Sequence, residues 1–178
     1  AAAARQLGKD VTLVEGTGRL IGRVVAEPTS AFYLAAHRRR GTDIVLGARL
    51  TRILGVDASA AGRRGSVTGV ELDDGRIIPA DLVIIGIGVL PRVELAVQLG
   101  LDVDGGIVVD DSCLASDGRT VAAGDCTVMP NPYPGGLGGR VRIESVNNAL
   151  EQAKVAAATL LGEDATYSTV PWFWSDQA

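Results

Sequence analysis

Apolar residues follow two rhythms along this chain. The helical rhythm is clearest over residues 145–162, SVNNALEQAKVAAATLLG, where Val146, Ala149, Leu150, Ala153, Ala157 and Leu160 fall near one face. Ser145 can cap this helix and Gly162 can end it. Residues 1–7 are strong helix formers and Gly8 is a natural stop, so the chain opens as a helix already under way. Residues 10–16, DVTLVEG, follow at once as a strand through Val11, Leu13 and Val14, with Glu15 at its C-terminal end. A helix passing directly into a strand is the closing part of a β-α-β unit. A further helix is predicted over 28–40, with Pro28 in the first turn, a partial apolar face of Phe32, Leu34, Ala35 and Ala36, and Gly41 closing it. Residues 43–50 predict a second strand and 92–100 a short helix.

The other rhythm is that of strands and turns. Residues 55–66 are small and polar, as in a loop. Asp74-Gly75 is a hairpin signal between strands over 67–72 and 76–78. Residues 82–87 form a near-continuous apolar run, as in a strand covered on both faces, ending in Gly86-Ile87-Gly88, where backbone can approach another group closely. Short strands are expected over 106–110 and 120–125, and residues 130–139 are too rich in Pro and Gly for anything but a loop. No repeat of solenoid period is present.

Composition narrows the picture. A chain of 178 residues that is 47% hydrophobic can build one good core or parts of two. A net charge of −4 argues against a nucleic-acid binder held by phosphate contacts. The basic run His37-Arg38-Arg39-Arg40 is expected as the solvated end of a helix. No apolar run approaches the ~20 residues that span a bilayer, so no membrane partner is expected. Cys113 and Cys126 are 13 positions apart, forming neither a CxxC pair nor a metal knuckle, so no metal site is expected and both thiols should be reduced, as in the cytoplasm. The sole methionine is Met129, and the C-terminal residues PWFWSDQA look extended and unfinished. The sequence is therefore expected to be an internal piece of a longer protein, inactive by itself.

Four places can carry chemistry. Glu15, at a strand end, is either a plain surface charge or the acid that accepts from adenosine ribose hydroxyls in a dinucleotide-binding unit, some ~20 residues after a glycine loop. Such an acid favours NADH over a 2′-phosphorylated cofactor, while Arg19 and Arg23 either reach a phosphate or cover the surface. Asp125, after Gly124, is either a turn cap or an acceptor for ribityl or ribose hydroxyls. The helix start at Glu144-Ser145-Val146 is either ordinary or a partial positive charge facing the N1–C2=O side of a flavin. Trp172, Phe173 and Trp174 are either a core cluster or a wall beside that flavin.

The order of VTLVEGTGRLIGR, ADLVIIGIGVLP, TVAAGDC, RIESVNNALEQAKVAAATLLG and VPWFWSDQ along the chain resembles the FAD- and NADH-dependent ferredoxin reductases, the reductase components of bacterial oxygenase systems of the putidaredoxin-reductase and biphenyl-dioxygenase-reductase type. The resemblance covers essentially the whole chain. It implies an α/β fold, an incomplete two-dinucleotide-binding-domain (Rossmann-like) flavoprotein with parallel sheets and β-meander or hairpin crossovers. It also implies three parts: 1–91 as an NAD(H)-binding domain without its first strand and glycine-rich loop, 92–165 as the C-terminal half of an FAD-binding domain, and 166–178 as the start of a C-terminal domain. By the same resemblance, Glu15 is the ribose acid and Arg23 a basic residue near the NAD adenosine. Ile87, Gly88 and Val89 are the strand end lining the nicotinamide cofactor. Gly124 and Asp125 hold the FAD ribityl–phosphate region, and Val146 presents backbone to the flavin pyrimidine ring, with Glu144 and Ser145 beside it. Trp172 or Trp174, with Trp174 favoured, contacts the flavin.

The implied activity of the parent protein is electron transfer from NADH through FAD to a small iron-sulfur ferredoxin, with no catalytic acid or base, because the cofactors carry the chemistry. Two rivals are a thiol-disulfide reductase of the same superfamily, whose paired cysteines are missing here, and a nucleotide-binding module like apoptosis-inducing factor, which a basic surface would favour.

Overall fold

A computed structural model of the chain describes residues 1–56, 65–133 and 139–176. The central parts of the loops expected over 55–66 and 130–139, and the last two residues, lie outside the described residues. The chain forms two compact units, Ala1–Gly86 and Ile87–Ser175.

In the first unit, helix α1 (Ala2–Gln6) leads into strand β1 (Thr12–Glu15), helix α2 (Glu27–Arg39) and strand β2 (Asp43–Leu46). Strands β1 and β2 pair in parallel with Glu15 opposite Leu46, so α2 is the crossover of a β-α-β unit. Gly47, at φ +69°, turns the backbone out of β2. The segment 43–50 is consequently not one strand: β3 (Leu50–Val56) belongs to a second sheet, ordered β3-β4-β5 with β4 (Ser66–Leu72) and β5 (Ile77–Pro79). All neighbours in that meander are antiparallel. The Asp74-Gly75 hairpin forms as expected: Leu72 N–H donates to Arg76 O at 2.9 Å, and Gly75 has φ +83°. Leu72, 1% exposed, is among the largest side chains fully buried.

The apolar run 82–87 does not form a strand. Leu82, Ile84, Ile85 and Ile87 are between 61% and 88% exposed. A strand persists only where its N–H and C=O groups find a ladder partner, and no described strand pairs with this segment. The backbone that leads to Ile87, Gly88 and Val89 is therefore irregular, with Gly88 at φ +103°.

The second unit carries helix α3 (Glu94–Gln98), strands β6 (Ile107–Val108), β7 (Thr127–Pro130) and β8 (Arg140–Val141), and helix α4 (Val146–Leu160). Strand β6 is parallel to β7, and β8 is antiparallel to β7. The strand expected over 120–125 is displaced. Val121 makes only an isolated bridge to Leu114, Gly124 at φ +86° cannot continue a strand, and Thr127 N–H closes a turn onto Gly124 O at 3.0 Å, so pairing starts at Thr127. The core of this unit joins Val109, Met129 and Tyr167, packed against Ile107, Ala122, Val141, Ile143 and Val155.

The four helices among the described residues end alike. A glycine in the left-handed region follows the C-cap, at Gly8, Gly41, Gly100 and Gly162. In α4 the Gly162 N–H reaches Thr159 O and the Glu163 N–H reaches Ala158 O, at 3.0 and 2.9 Å. The other three repeat this pair of bonds, the Schellman arrangement that satisfies the last carbonyls.

Candidate functional site

Strand β1 and the loop after it place Glu15 and Arg23. The Glu15 carboxylate, half-buried, accepts through Oε1 from the Thr17 N–H and the Thr17 hydroxyl, both at 2.8 Å. This bond pair fixes the turn that follows β1 and leaves Oε2 with no donor among the described residues. Arg19 is a strut rather than a ligand-facing cation: its guanidinium donates to Val25 O at 2.8 Å, Gly22 O at 2.6 Å and Ser30 Oγ at 3.2 Å. Arg23 is exposed and its side chain makes no hydrogen bond to a described residue.

The second unit gathers more. Gly124 is buried and its φ of +86° lets the chain turn against the first turn of α4, where an added Cβ would meet Ala149 Cβ at 3.4 Å. Asp125 follows, exposed, and its carboxylate has no hydrogen-bond or ionic partner among the described residues. It is not a turn cap. Beside it, Ser145 caps α4 by accepting from the Asn148 N–H at 3.1 Å. The N–H groups of Val146 and Asn147, which have no carbonyl one turn earlier, find no acceptor among the described residues. Glu144 pairs with Arg142 at 2.7 Å, which places an acid before a helix start, where the dipole favours it.

The aromatic tail is exposed and is not a core cluster. Trp172, Phe173 and Trp174 are 57%, 50% and 59% exposed, because the segment 168–175 forms no ladder that would hold a side chain inward. The Trp172 N–H lies 3.4 Å from Asn147 Oδ1, which sets the tail against the start of α4, and the two indoles stand 5.5 Å apart. Gly124, Asp125, Glu144, Ser145, Val146 and Trp172, with Trp174 beside it, thus converge on one end of α4. Glu15 and Arg23 lie in the other unit, and Ile87, Gly88 and Val89 are exposed backbone with no recorded side-chain partner.

Chemically, the α4 end offers an open anionic acceptor, two free N–H donors and exposed aromatic faces. Such a set suits a ligand that presents hydroxyl donors to Asp125 and carbonyl acceptors to the helix start. Sequence reasoning missed the buried polar side chains that hold this end together. Asn148, Gln152 and Thr127 are 1–2% exposed, and Asn148 Oδ1 is buried without a donor. Asn148 and Gln152 do not lie on the face expected to be apolar: Val146, Leu150, Ala153, Ala157 and Leu160 are exposed, while Asn148, Gln152 and Ala156 face inward, so the only signal was two carboxamides four residues apart. Both cysteines are free thiols, and Cys113 is fully buried, with burial and the charges of Asp110 and Asp111 pushing it up to about 11. No group of three metal-binding side chains occurs among the described residues. No helix among them is long and apolar enough to cross a membrane.

The model of the pyridine nucleotide-disulphide oxidoreductase family matches residues 1–153. The chain belongs to this family. Within it, the chain is 43% identical over 177 residues to rhodocoxin reductase of Rhodococcus erythropolis, covering 99% of this chain and 39% of that protein. It is 45% identical to putidaredoxin reductase of Pseudomonas putida, over 99% of this chain and 40% of that one. Among solved structures, a ferredoxin reductase from Rhodopseudomonas palustris superposes with a TM-score of 0.86 at 40% identity, covering 99% of this chain and 41% of that one. A covalent putidaredoxin reductase–putidaredoxin complex gives 0.84 at 42% identity, covering 99% and 40%. The chain thus spans about two fifths of the length of the relatives it matches. The mixed parallel and antiparallel sheets seen here are those of an oxidoreductase of this family.

Proposed function

We infer that this chain is part of a ferredoxin reductase that passes electrons from NADH through FAD to a small iron-sulfur ferredoxin, in service of an oxygenase. The observation that carries the reading is Asp125, an exposed carboxylate with no donor among the described residues, next to a glycine bonded to α4, whose Val146 and Asn147 N–H groups have no acceptor among the described residues. Names of relatives over the full chain length supply the rest, since several are ferredoxin reductases. In this reading residues 1–91 belong to the NADH domain, 92–165 to the FAD domain and 166–178 to the C-terminal domain. The parent protein works in the cytoplasm.

Each residue has a physical task. Asp125 accepts from the hydroxyl-bearing side of FAD, and Gly124 keeps the turn close enough to α4 for the same ligand to meet both. The Val146 and Asn147 N–H groups, backed by the helix dipole, favour negative charge on the flavin's carbonyl edge. Ser145 keeps that helix end from fraying, and Glu144, neutralised by Arg142, adds little opposing charge. Trp172 and Trp174 exclude water from one side of the site. Glu15 retains one open carboxylate oxygen for a ribose hydroxyl and disfavours a 2′-phosphate, while Arg23 is the free cation near the adenosine end. Ile87, Gly88 and Val89 line the nicotinamide side, where glycine admits close approach. When bound, FAD accepts a hydride from NADH and releases electrons singly, so no side chain of this chain must act as acid or base.

The test is rapid mixing of the full-length, FAD-loaded protein with NADH. Loss of the oxidised-flavin absorbance within the mixing experiment, faster with NADH than with NADPH, is the expected result. A flavin band that persists under excess NADH rejects the reading.

A further inference from the structure

The 123–127 turn raises an accounting question. Gly124 is buried, so its N–H needs an acceptor within the protein. It donates to Gln152 Oε1 at 2.7 Å, across 28 residues of chain. The same oxygen receives Asn148 Nδ2 at 3.2 Å, and Asn148 Nδ2 also reaches Ile143 O at 3.1 Å, just before the helix cap. Thr127 Oγ1 lies 2.9 Å from that oxygen and 2.8 Å from Gly124 O, so one hydroxyl proton is shared between two acceptors. These donors fix which end of the amide is oxygen, and Nε2 then faces Met129 Sδ at 3.5 Å. Gln152 is 1% exposed, two turns into α4, on the face that also buries Asn148 and Ala156. A leucine there would pack without needing a partner, so a buried carboxamide makes sense only through what it holds.

We propose that Gln152 is a positioning residue: its carboxamide oxygen clamps the Gly124-Asp125 turn to the first turns of α4 and thereby sets the spacing between the Asp125 carboxylate and the Val146 and Asn147 N–H groups. This rests on the FAD reading given above. Gln152 touches no ligand itself. It acts through the backbone N–H of Gly124 and through Asn148, whose main-chain N–H is in turn the one capped by Ser145. Two parts of a ligand grip that are 21 and 22 positions apart in sequence are thereby held as one rigid unit.

The test uses apoprotein of the full-length protein as wild type, Gln152→Leu and Gln152→Glu. FAD affinity is read by flavin fluorescence, and amide exchange over residues 120–130 by mass spectrometry without ligand. Q152L removes the acceptor, and is expected to speed exchange in that peptide at least ten-fold and to weaken FAD at least ten-fold. Q152E restores an acceptor for Gly124 N–H and Asn148 Nδ2, and is expected to bind FAD within about three-fold of wild type, a rescue that a general loss of packing would not give. If Q152L does not fold, Q152A, which leaves room for a water, is expected to show at least a five-fold loss. FAD affinity unchanged in Q152L, or in Q152A where that is used, overturns the proposal while leaving the site reading intact. Wild-type apoprotein that takes up no FAD overturns both.

Discussion

Removing the Asp125 carboxylate separates its role in binding from any role in folding. Asp125 is exposed and bonds to no described residue, so Asp125→Ala deletes no protein contact and should change the stability of the apoprotein by no more than about 0.5 kcal/mol. The neighbouring Gly124 turn is held by Gln152 and Thr127, which the substitution leaves alone. In the FAD complex the same change removes a hydrogen bond to a charged acceptor, worth about 1.5–3 kcal/mol. At about 1.4 kcal/mol per tenfold, that is a weakening of FAD by roughly ten- to a hundredfold. Asp125→Asn keeps an acceptor but not the charge, and should fall between wild type and alanine. The assays are FAD titration of the full-length apoprotein and urea denaturation of the same samples. An alanine variant that loses more than about 1 kcal/mol of apoprotein stability yet binds FAD as tightly as wild type would refute the reasoning, because Asp125 would then be a structural acid.

Four further outcomes are expected. Ser145→Ala should cost about 1 kcal/mol in urea unfolding by freeing the Asn148 N–H, and Ser145→Asp should recover most of it; equal stability of all three would deny the cap its role. Leu72→Ala, in the meander of the first unit, should destabilise by about 2–5 kcal/mol on the same measurement, since the side chain is fully buried. At pH 8 a thiol reagent should modify half-buried Cys126 well before Cys113, and mass spectrometry of the labelled peptides reads the order. The pH dependence of Cys113 has a definite sign. Burial raises the folded thiol above its ordinary value of 9.0 to about 11, so the unfolded chain ionises first; its contribution to stability is whole below about pH 9 and declines as pH rises through about 11, a decline that Cys113→Ser should reduce in alkaline unfolding curves.

The helices and turns were legible because their signals are local. Ser145 as a helix cap, the glycines at 8, 41 and 162 just past three helices, and Asp74-Gly75 each specify backbone within a few residues, and each is found in place. Segment 82–87 shows the opposite case. Its composition is that of a covered strand, but a ladder is made with another segment, and no local pattern supplies one. The shift from 120–125 to Thr127–Pro130 has the same root: Val121 to Ala123 are as apolar as a strand requires, while the positive φ at Gly124 decides where pairing starts.

The site divides along the same line. The resemblance assigns Asp125, Ser145 and Val146 to one cofactor, on sequence blocks that end a strand–turn and open a helix. What joins them is carried by Gln152, Asn148 and Thr127, whose residue types say nothing by themselves of a partner 25 or 28 positions away. Two carboxamides four residues apart in a helix are the one trace such a clamp leaves in sequence. That trace becomes informative only when a donor such as the Gly124 N–H must be satisfied inside the protein. In the proposed site the exposed, unpartnered acid and the buried, bonded amide are therefore two sides of one device. The polar group that holds the backbone is spent within the protein, and on the FAD reading that leaves the polar group beside it free for the cofactor.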